Sequence, residues 1–208
     1  MNLYSYEKEL YNKGHVYIAG CDEVGRGPLA GPVVAAAVVL NKDDVIEGLN
    51  DSKKLSEKKR ILLEKEIKER AIAYEFVYIW PKEIDKINIY QASKKAMIEA
   101  IRKLEPQPTF VLSDAMPLPA LDIPFESIIK GDSKSASIAA ASIIAKQERD
   151  RYMIEISKKY PNYGFEKHKG YPTKLHVEAL QKYGVLEIHR RTYKPVYDIL
   201  HKQIRLDI

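Results

Sequence analysis

Two apolar, β-branched stretches, Val16 to Ala19 and Val33 to Leu40, bracket the run Gly20-Cys21-Asp22-Glu23-Val24-Gly25-Arg26-Gly27-Pro28. No other segment constrains the chain as much. Both read as strands, the first running from Val16 to Cys21, so two adjacent carboxylates stand directly behind it. Carboxylates so placed are costly unless something cationic neutralises them. A glycine on each side of Arg26 lets the backbone come close to whatever the arginine touches. Carboxylates able to hold a hard metal ion, beside an arginine and bare backbone able to hold phosphate, point to metal-dependent phosphodiester chemistry. An acidic turn followed by a glycine-rich hairpin would carry the same residues, and this segment alone does not choose between the two.

The remaining elements follow from periodicity and punctuation. Leu3 to Lys13 reads as a short helix ending at Gly14, and Ser56 to Glu69 as a capped, solvent-facing helix. Ala71 to Ile79 alternates Ile72, Tyr74, Phe76 and Tyr78 on one face, which predicts a strand. Pro81 to Asp85 predicts one helical turn, and Asn88 to Leu104 a helix with Ala92, Ala96, Met97, Ala100 and Leu104 along one stripe. Short buried strands are expected at Thr109 to Ser113 and Phe125 to Ile129. Ser135 to Lys159 predicts a long helix with a small-residue first half; Pro172 to Tyr183 and Pro195 to Ile204 predict two more. Consecutive strands followed by alternating helices and strands indicate an α/β fold, a mixed five-stranded sheet flanked by helices. The Pro/Gly/His-rich stretch Tyr160 to Pro172 divides it into a sheet-bearing domain, 1–159, and a small helical C-terminal extension, 160–208.

Composition narrows the partners. A chain of 208 residues can bury a real core, and with 30% charged residues and only short apolar runs it holds no membrane span. The N-terminus has no signal-peptide pattern, and the single cysteine, Cys21, excludes an internal disulfide; both fit a cytoplasmic protein. Two neighbouring carboxylates would raise the Cys21 thiol pKa, so it reads as a small buried strand residue and not a nucleophile. The net charge of +5 is unevenly spread: residues 151–208 carry 12 Lys/Arg against 6 Asp/Glu, while the rest is nearly neutral. A basic C-terminal quarter suits a polyanionic partner.

Four acids fall at expected strand ends: Asp22, Glu23, Asp114 and Asp132. Strand ends are where an open sheet presents functional groups. Oxygen donors without a His/Cys cluster suit Mg²⁺ or Mn²⁺, and two such ions about 3.5–4 Å apart can clamp attacking water and leaving oxygen. Neighbours on a strand point to opposite faces, so Asp22 and Glu23 share a site only if the strand bends or one uses its carbonyl. Asp114 alone could be a turn residue, and Asp132 alone a helix cap. Asp51-Ser52-Lys53-Lys54 and Gly131-Asp132-Ser133-Lys134-Ser135 each precede a helix, a setting that binds phosphate oxygens. In Lys167-His168-Lys169-Gly170-Tyr171-Pro172-Thr173, a tyrosine held between glycine and proline can stack on a sugar or base. His168, His176 and His189 each have Lys or Arg close by, which favours phosphate-facing or structural roles over metal ligation.

These motifs together resemble the bacterial-type ribonuclease HII family of type 2 ribonucleases H. The resemblance runs from about Val16 to Val196. It rests on Gly20 to Val33, Asn50-Asp51-Ser52-Lys53-Lys54-Leu55, Gly131-Asp132-Ser133-Lys134, Ile138 to Lys146, and Tyr163 to His176. It implies an RNase H-like fold with a helical C-terminal extension that contacts nucleic acid, and a monomer. The implied activity is endonucleolytic cleavage of RNA in RNA–DNA hybrids and 5′ of ribonucleotides embedded in duplex DNA. Water would attack with the help of Mn²⁺ or Mg²⁺, leaving 3′-hydroxyl and 5′-phosphate ends, in the service of replication and repair. Asp22, Glu23, Asp114 and Asp132 match the family's catalytic, metal-binding acids. Gly25, Arg26 and Gly27 match the turn that reads the ribose 2′-OH, and Tyr171 the tyrosine at the RNA-to-DNA junction. Lys53, Lys54, Ser133, Lys134 and Lys169 complete the expected substrate contacts. Two positions depart from the family pattern: Ala115 replaces the usual glycine after the third acid, and Thr192-Tyr193 replaces Ser-Phe.

Two other functions fit parts of the sequence. A DNA-directed nuclease or strand-transfer enzyme of the same fold superfamily also needs clustered acids, but the Gly25-Arg26-Gly27 turn with Tyr171 suits ribose sensing better. A binding module without catalysis gains nothing from convergent carboxylates, which repel phosphate.

Overall fold

The computed structural model describes residues 2–206, with side chains to residue 201. At its centre β1 (Ile18–Val24) pairs antiparallel with β2 (Val33–Val39) and parallel with β4 (Phe110–Asp114). β5 (Phe125–Ile128) lies parallel to β4, and β3 (Ala73–Ile79) completes a mixed five-stranded sheet in the order β3-β2-β1-β4-β5. β1 runs past its expected end at Cys21. Asp22, Glu23 and Val24 continue the ladder, paired with Ala36, Ala35 and Val34. Both carboxylates are therefore the last residues of a strand and not part of a turn.

The helices are α1 (Ser5–Asn12), α2 (Glu57–Arg70), α3 (Pro81–Ile87), α4 (Ile89–Lys103), α5 (Ala136–Lys159), α6 (Phe165–His168), α7 (Lys174–Tyr183) and α8 (Lys194–Leu206). The Ser56 hydroxyl caps α2 by accepting from the Lys59 amide at 3.3 Å, as its position before a Lys/Glu-rich run predicts. The small-residue half of α5 is buried with Ala36 and Val38 of β2 and Leu63 and Ile67 of α2. Gly20 makes this approach possible, since a side chain there would overlap the backbone of Ser137 and Ile138. Glu7, read from sequence only as part of the short helix Leu3 to Lys13, is buried and caps α5. It accepts from the Ser137 amide at 3.0 Å and from the Ser135 and Ser137 hydroxyls at 2.6 Å.

The chain forms two compact units. The first holds the residues up to Val24, Val34–Tyr78 and Ser93–Gln147; the second holds Gly25–Val33, Ile79–Ala92 and the chain from Glu148 onward. The expected division after residue 159 falls inside the second unit. The reason is two buried arginines, Arg149 on α5 and Arg190, which bind the carbonyls of segment 25–32 and draw it in with the C-terminal helices. Among the described residues no helix is long and apolar enough to cross a membrane.

Candidate active site

The parallel register of β1 and β4 sets Cys21 beside Ser113, and one residue further on it brings Asp22 and Asp114 to the same end of the sheet. Asp132 comes from the single turn Gly131–Ser133 ahead of α5, tied to β4 where the Gly131 amide donates to Asp114 Oδ1 at 2.7 Å. One carboxylate oxygen from each of Asp22, Asp114 and Asp132 lies within 4.8 Å of the others. Glu23, expected in the same set, is not one of these three, as strand alternation requires. Its charge still acts on Asp22.

Asp22 and Asp132 are buried and Asp114 is half-buried. Burial first, then the charges of Glu23 and Asp114, push the Asp22 carboxyl well above the usual carboxylate range; hydrogen bonds from Ser142 and the Glu23 amide pull it back only in part. Burial and then Asp114 and Asp51 raise Asp132 in the same way. Cys21 is buried in β1 as expected, and burial reinforced by Asp22, Glu23 and Asp114 pushes its thiol up, away from reactivity.

The loop 51–54 enters this site through Lys53. Desolvation works against its ammonium, but the carboxylates of Asp22, Asp51, Asp132 and Asp114 outweigh that and raise its pKa. Lys54 is exposed, with its ammonium 3.9 Å from Asp51. The Ser133 hydroxyl donates to the Lys130 carbonyl at 2.9 Å, and Lys134 closes the same turn through its amide. Two participants were not singled out from sequence. Asp51 is paired with Asp132, and Ser142 links Asp22 to Ser52 through a 2.8 Å hydroxyl contact. The signals for Ser142 were its place in the motif Ile138 to Lys146 and a hydroxyl in an otherwise apolar helical stretch.

In the second unit the turn after β1 is held from beneath. Arg190 is fully buried and donates to the carbonyls of Gly25 (2.6 Å), Arg26 (2.9 Å) and Gly31 (2.9 and 3.1 Å). Arg149, also fully buried, donates to the carbonyls of Pro32, Ala30 and Lys169 at 3.1, 3.2 and 2.9 Å. Burial and then the charge of Arg190 lower the Arg149 guanidinium to about 10. Gly25 has a φ of 95°, and a side chain there would run into Arg149. Tyr171 is 39% exposed and lies over Gly27, where an added methyl would meet its ring at 3.6 Å. The Lys169 ammonium folds back on the Glu166 carbonyl. Neither buried arginine was legible as such, since both sit among charged residues that read as surface.

Clustered carboxylates at the carboxyl end of the central strands of a β3-β2-β1-β4-β5 sheet, with a C-terminal helical unit, define a nuclease of the RNase H-like fold. The family model for ribonuclease HII matches residues 19–196, and the chain belongs to that family. A ribonuclease HII from Bacillus mycoides is 58% identical over 97% of this chain and 78% of its own length. Among solved structures, ribonuclease H2 from Pyrococcus horikoshii superposes with a TM-score of 0.78 at 26% identity, covering 90% of this chain and 98% of that one. Bst-RNase HIII in complex with Mn²⁺ shares the fold, with a TM-score of 0.67 at 18% identity, over 91% of this chain and 71% of its own. The chain is thus a ribonuclease H, an enzyme acting on RNA–DNA hybrids.

Proposed function

We propose that this ribonuclease H hydrolyses the RNA strand of hybrids and also cuts 5′ of single ribonucleotides embedded in duplex DNA, leaving 3′-hydroxyl and 5′-phosphate ends. The observation that carries the reading is the meeting of Asp22, Asp114 and Asp132 within 4.8 Å. Their donors are all oxygen and their buried like charges are unfavourable alone, so the residues fit a hard divalent cation, Mg²⁺ or Mn²⁺. Such ions, when bound, activate water and neutralise charge on the phosphate. Asp22, Asp114 and Asp132 hold them, Glu23 adds its charge beside Asp22, and Ser142 fixes the orientation of Asp22. Lys53, facing the same carboxylates, offers an ammonium to the substrate phosphate, with Lys54, Ser133 and Lys134 in supporting contacts.

In the second unit the backbone of Gly25, Arg26 and Gly27 meets the ribose 2′-OH, and Tyr171 packs on the next sugar. The support is that Arg190 fixes the Gly25 and Arg26 carbonyls, so the turn is rigid before substrate arrives. Lys167, Lys169 and Lys174 meet phosphates of the duplex. Neutralising any one of them should lower the salt slope of hybrid binding by about one. The protein acts as a cytoplasmic monomer in ribonucleotide removal during replication and repair.

One incubation tests the reading: a duplex with a single ribonucleotide and an all-DNA duplex, each with Mn²⁺ or Mg²⁺, and wild type or Asp22→Asn. Wild type should cut only the first, on the 5′ side of the ribonucleotide. Asp22→Asn should lose at least about 10²–10³-fold in turnover while binding persists. Equal cutting of both duplexes would move the protein to the DNA-directed class, and near-normal activity of Asp22→Asn would remove the acids from catalysis.

A further inference from the structure

Three histidines, His168, His176 and His189, are buried together in the second unit, and their hydrogen bonds fix which nitrogen carries each proton. The Leu186 amide, which can only donate, lies 2.9 Å from His189 Nδ1, so that nitrogen is bare and His189 carries its proton on Nε2. The Tyr171 carbonyl, which can only accept, lies 3.0 Å from His176 Nδ1, so His176 carries its proton there and its Nε2 is bare. The two Nε2 atoms are 3.1 Å apart. The two tautomers, each set by a different backbone group, match head to tail. One directed chain runs from the Leu186 amide through His189 and His176 to the Tyr171 carbonyl.

His168 is stacked on His176 with ring centroids 4.5 Å apart, and it is locked in the same manner. Its Nδ1 accepts from the Gly170 amide at 3.1 Å and its Nε2 donates to the Tyr163 carbonyl at 2.8 Å. Phe165 packs edge-on against both His168 and His176. The loop from His168 to Thr173 is thereby held at Gly170 and Tyr171 by imidazoles. The far end of the chain lies next to Arg190, which grips the Gly25 and Arg26 carbonyls.

We propose that His176 and His189 are positioning residues for ribonucleotide recognition, a neutral relay that ties the loop presenting Tyr171 to the segment whose Arg190 holds the Gly25–Gly27 turn. The inference rests on the reading of Tyr171 as a sugar contact. A proton added to either ring would set two N–H groups against each other at the 3.1 Å contact and break the chain. The surroundings keep the rings neutral. Desolvation first, with the neighbouring histidines, lowers His176 to about 4 and His189 to about 3. The charged and titratable groups around the cluster are Glu166 and Lys169, acting on His168, and the Tyr163 ring. Lys82, Asp85, Tyr152, Glu187 and Arg191 line a cavity of about 650 Å³ alongside His189.

Two measurements on the full chain test the relay. Long-range ¹H–¹⁵N spectra of the histidine rings should show His176 as the Nδ1–H tautomer and His168 and His189 as Nε2–H, with His176 and His189 neutral from about pH 5.5 to 8. His176 carrying its proton on Nε2, or titrating near its ordinary pKa, would overturn the proposal. In kinetics, an asparagine amide can replace the Nδ1 donor and a glutamine amide cannot, so the two variants separate positioning from packing. On a single-ribonucleotide duplex, His176→Gln should lose about three- to tenfold in kcat/KM, while His176→Asn, which keeps a donor for the Tyr171 carbonyl and loses the acceptor for His189, should lose less. Tyr171→Ala combined with His176→Gln should be no worse than Tyr171→Ala alone. Equal losses in Asn and Gln variants, or additive losses in the double variant, would reduce the histidines to packing. A harmless Tyr171→Ala with the expected tautomers would instead remove the sugar-contact reading of Tyr171.

Discussion

The acidic end of the sheet and the turn with its Tyr171 loop solve opposite electrostatic problems. In the first unit Asp22, Asp114 and Asp132 crowd like charges into a buried corner, and Lys53 and hydrogen bonds from Ser142 and the Glu23 amide relieve them in part. In the second, most buried polar groups are met from within, with Arg149 Nη1 the exception. Arg190 alone is saturated by four carbonyl contacts and the Tyr193 hydroxyl, and the histidines stay neutral and paired. One region is poised for a ligand that brings positive charge. The other is already in its working shape. Substitutions in the first should therefore cost activity with little loss of stability, and substitutions in the second should cost stability first.

The largest stability effect should come from Arg190→Met, which takes the guanidinium donors from the carbonyls of Gly25, Arg26 and Gly31 at once and leaves Arg26 only the Tyr193 hydroxyl. A loss of about 3–5 kcal/mol is expected in chemical denaturation, and a value under about 1 kcal/mol would deny that the region is self-satisfied. Acid should separate the two regions by sign. His176 and His189 have folded pKa values below the ordinary 6.5, so the stability they contribute is present above 6.5 and is lost as pH falls towards about 4. For His176 alone that is on the order of 3 kcal/mol. Asp22 is raised, so its penalty is absent at low pH and grows as pH rises through its folded pKa. Melting curves from pH 7 to 4.5 should fall less steeply for His176→Asn than for wild type, and more steeply for Asp22→Asn.

Tyr193→Phe should have a smaller effect, since it deletes only a hydroxyl that donates to the Arg26 carbonyl at 2.7 Å and accepts from Arg190. About 1 kcal/mol is expected, measured as stability or as kcat/KM on a single-ribonucleotide duplex. Ala115→Gly should change least. Ala115 has a φ of 50°, a left-handed conformation that disfavours a side chain. The relief of strain and the greater freedom of glycine in the unfolded chain oppose each other. The expected outcome is stabilisation of up to about 1 kcal/mol with turnover unchanged.

Much of this could be read from sequence. Strand periodicity placed β2, β3, β4 and β5 within a residue or two, and three of the four acids proposed from strand ends do converge. Alternation along β1 already warned that Asp22 and Glu23 could not share a face. The illegible parts depend on long-range packing of charged residues. Arg149 and Arg190 read as surface because nothing local shows that a loop more than a hundred residues away would bring carbonyls to them. Nothing local marks Glu7 as a buried cap either, although α5 needs its carboxylate. The three histidines lie in a segment rich in Lys and Arg, and only their mutual contacts reveal a buried neutral cluster.

The claim that one region waits for positive charge while the other is complete is tested most directly by melting metal-free wild type and Asp22→Asn at neutral pH, each with and without added Mn²⁺. Removing one carboxylate from the crowded corner should raise the melting temperature of the metal-free protein, and Mn²⁺ should stabilise wild type much more than the variant. A metal-free Asp22→Asn that melts lower than wild type, with equal Mn²⁺ stabilisation of both, would contradict the account.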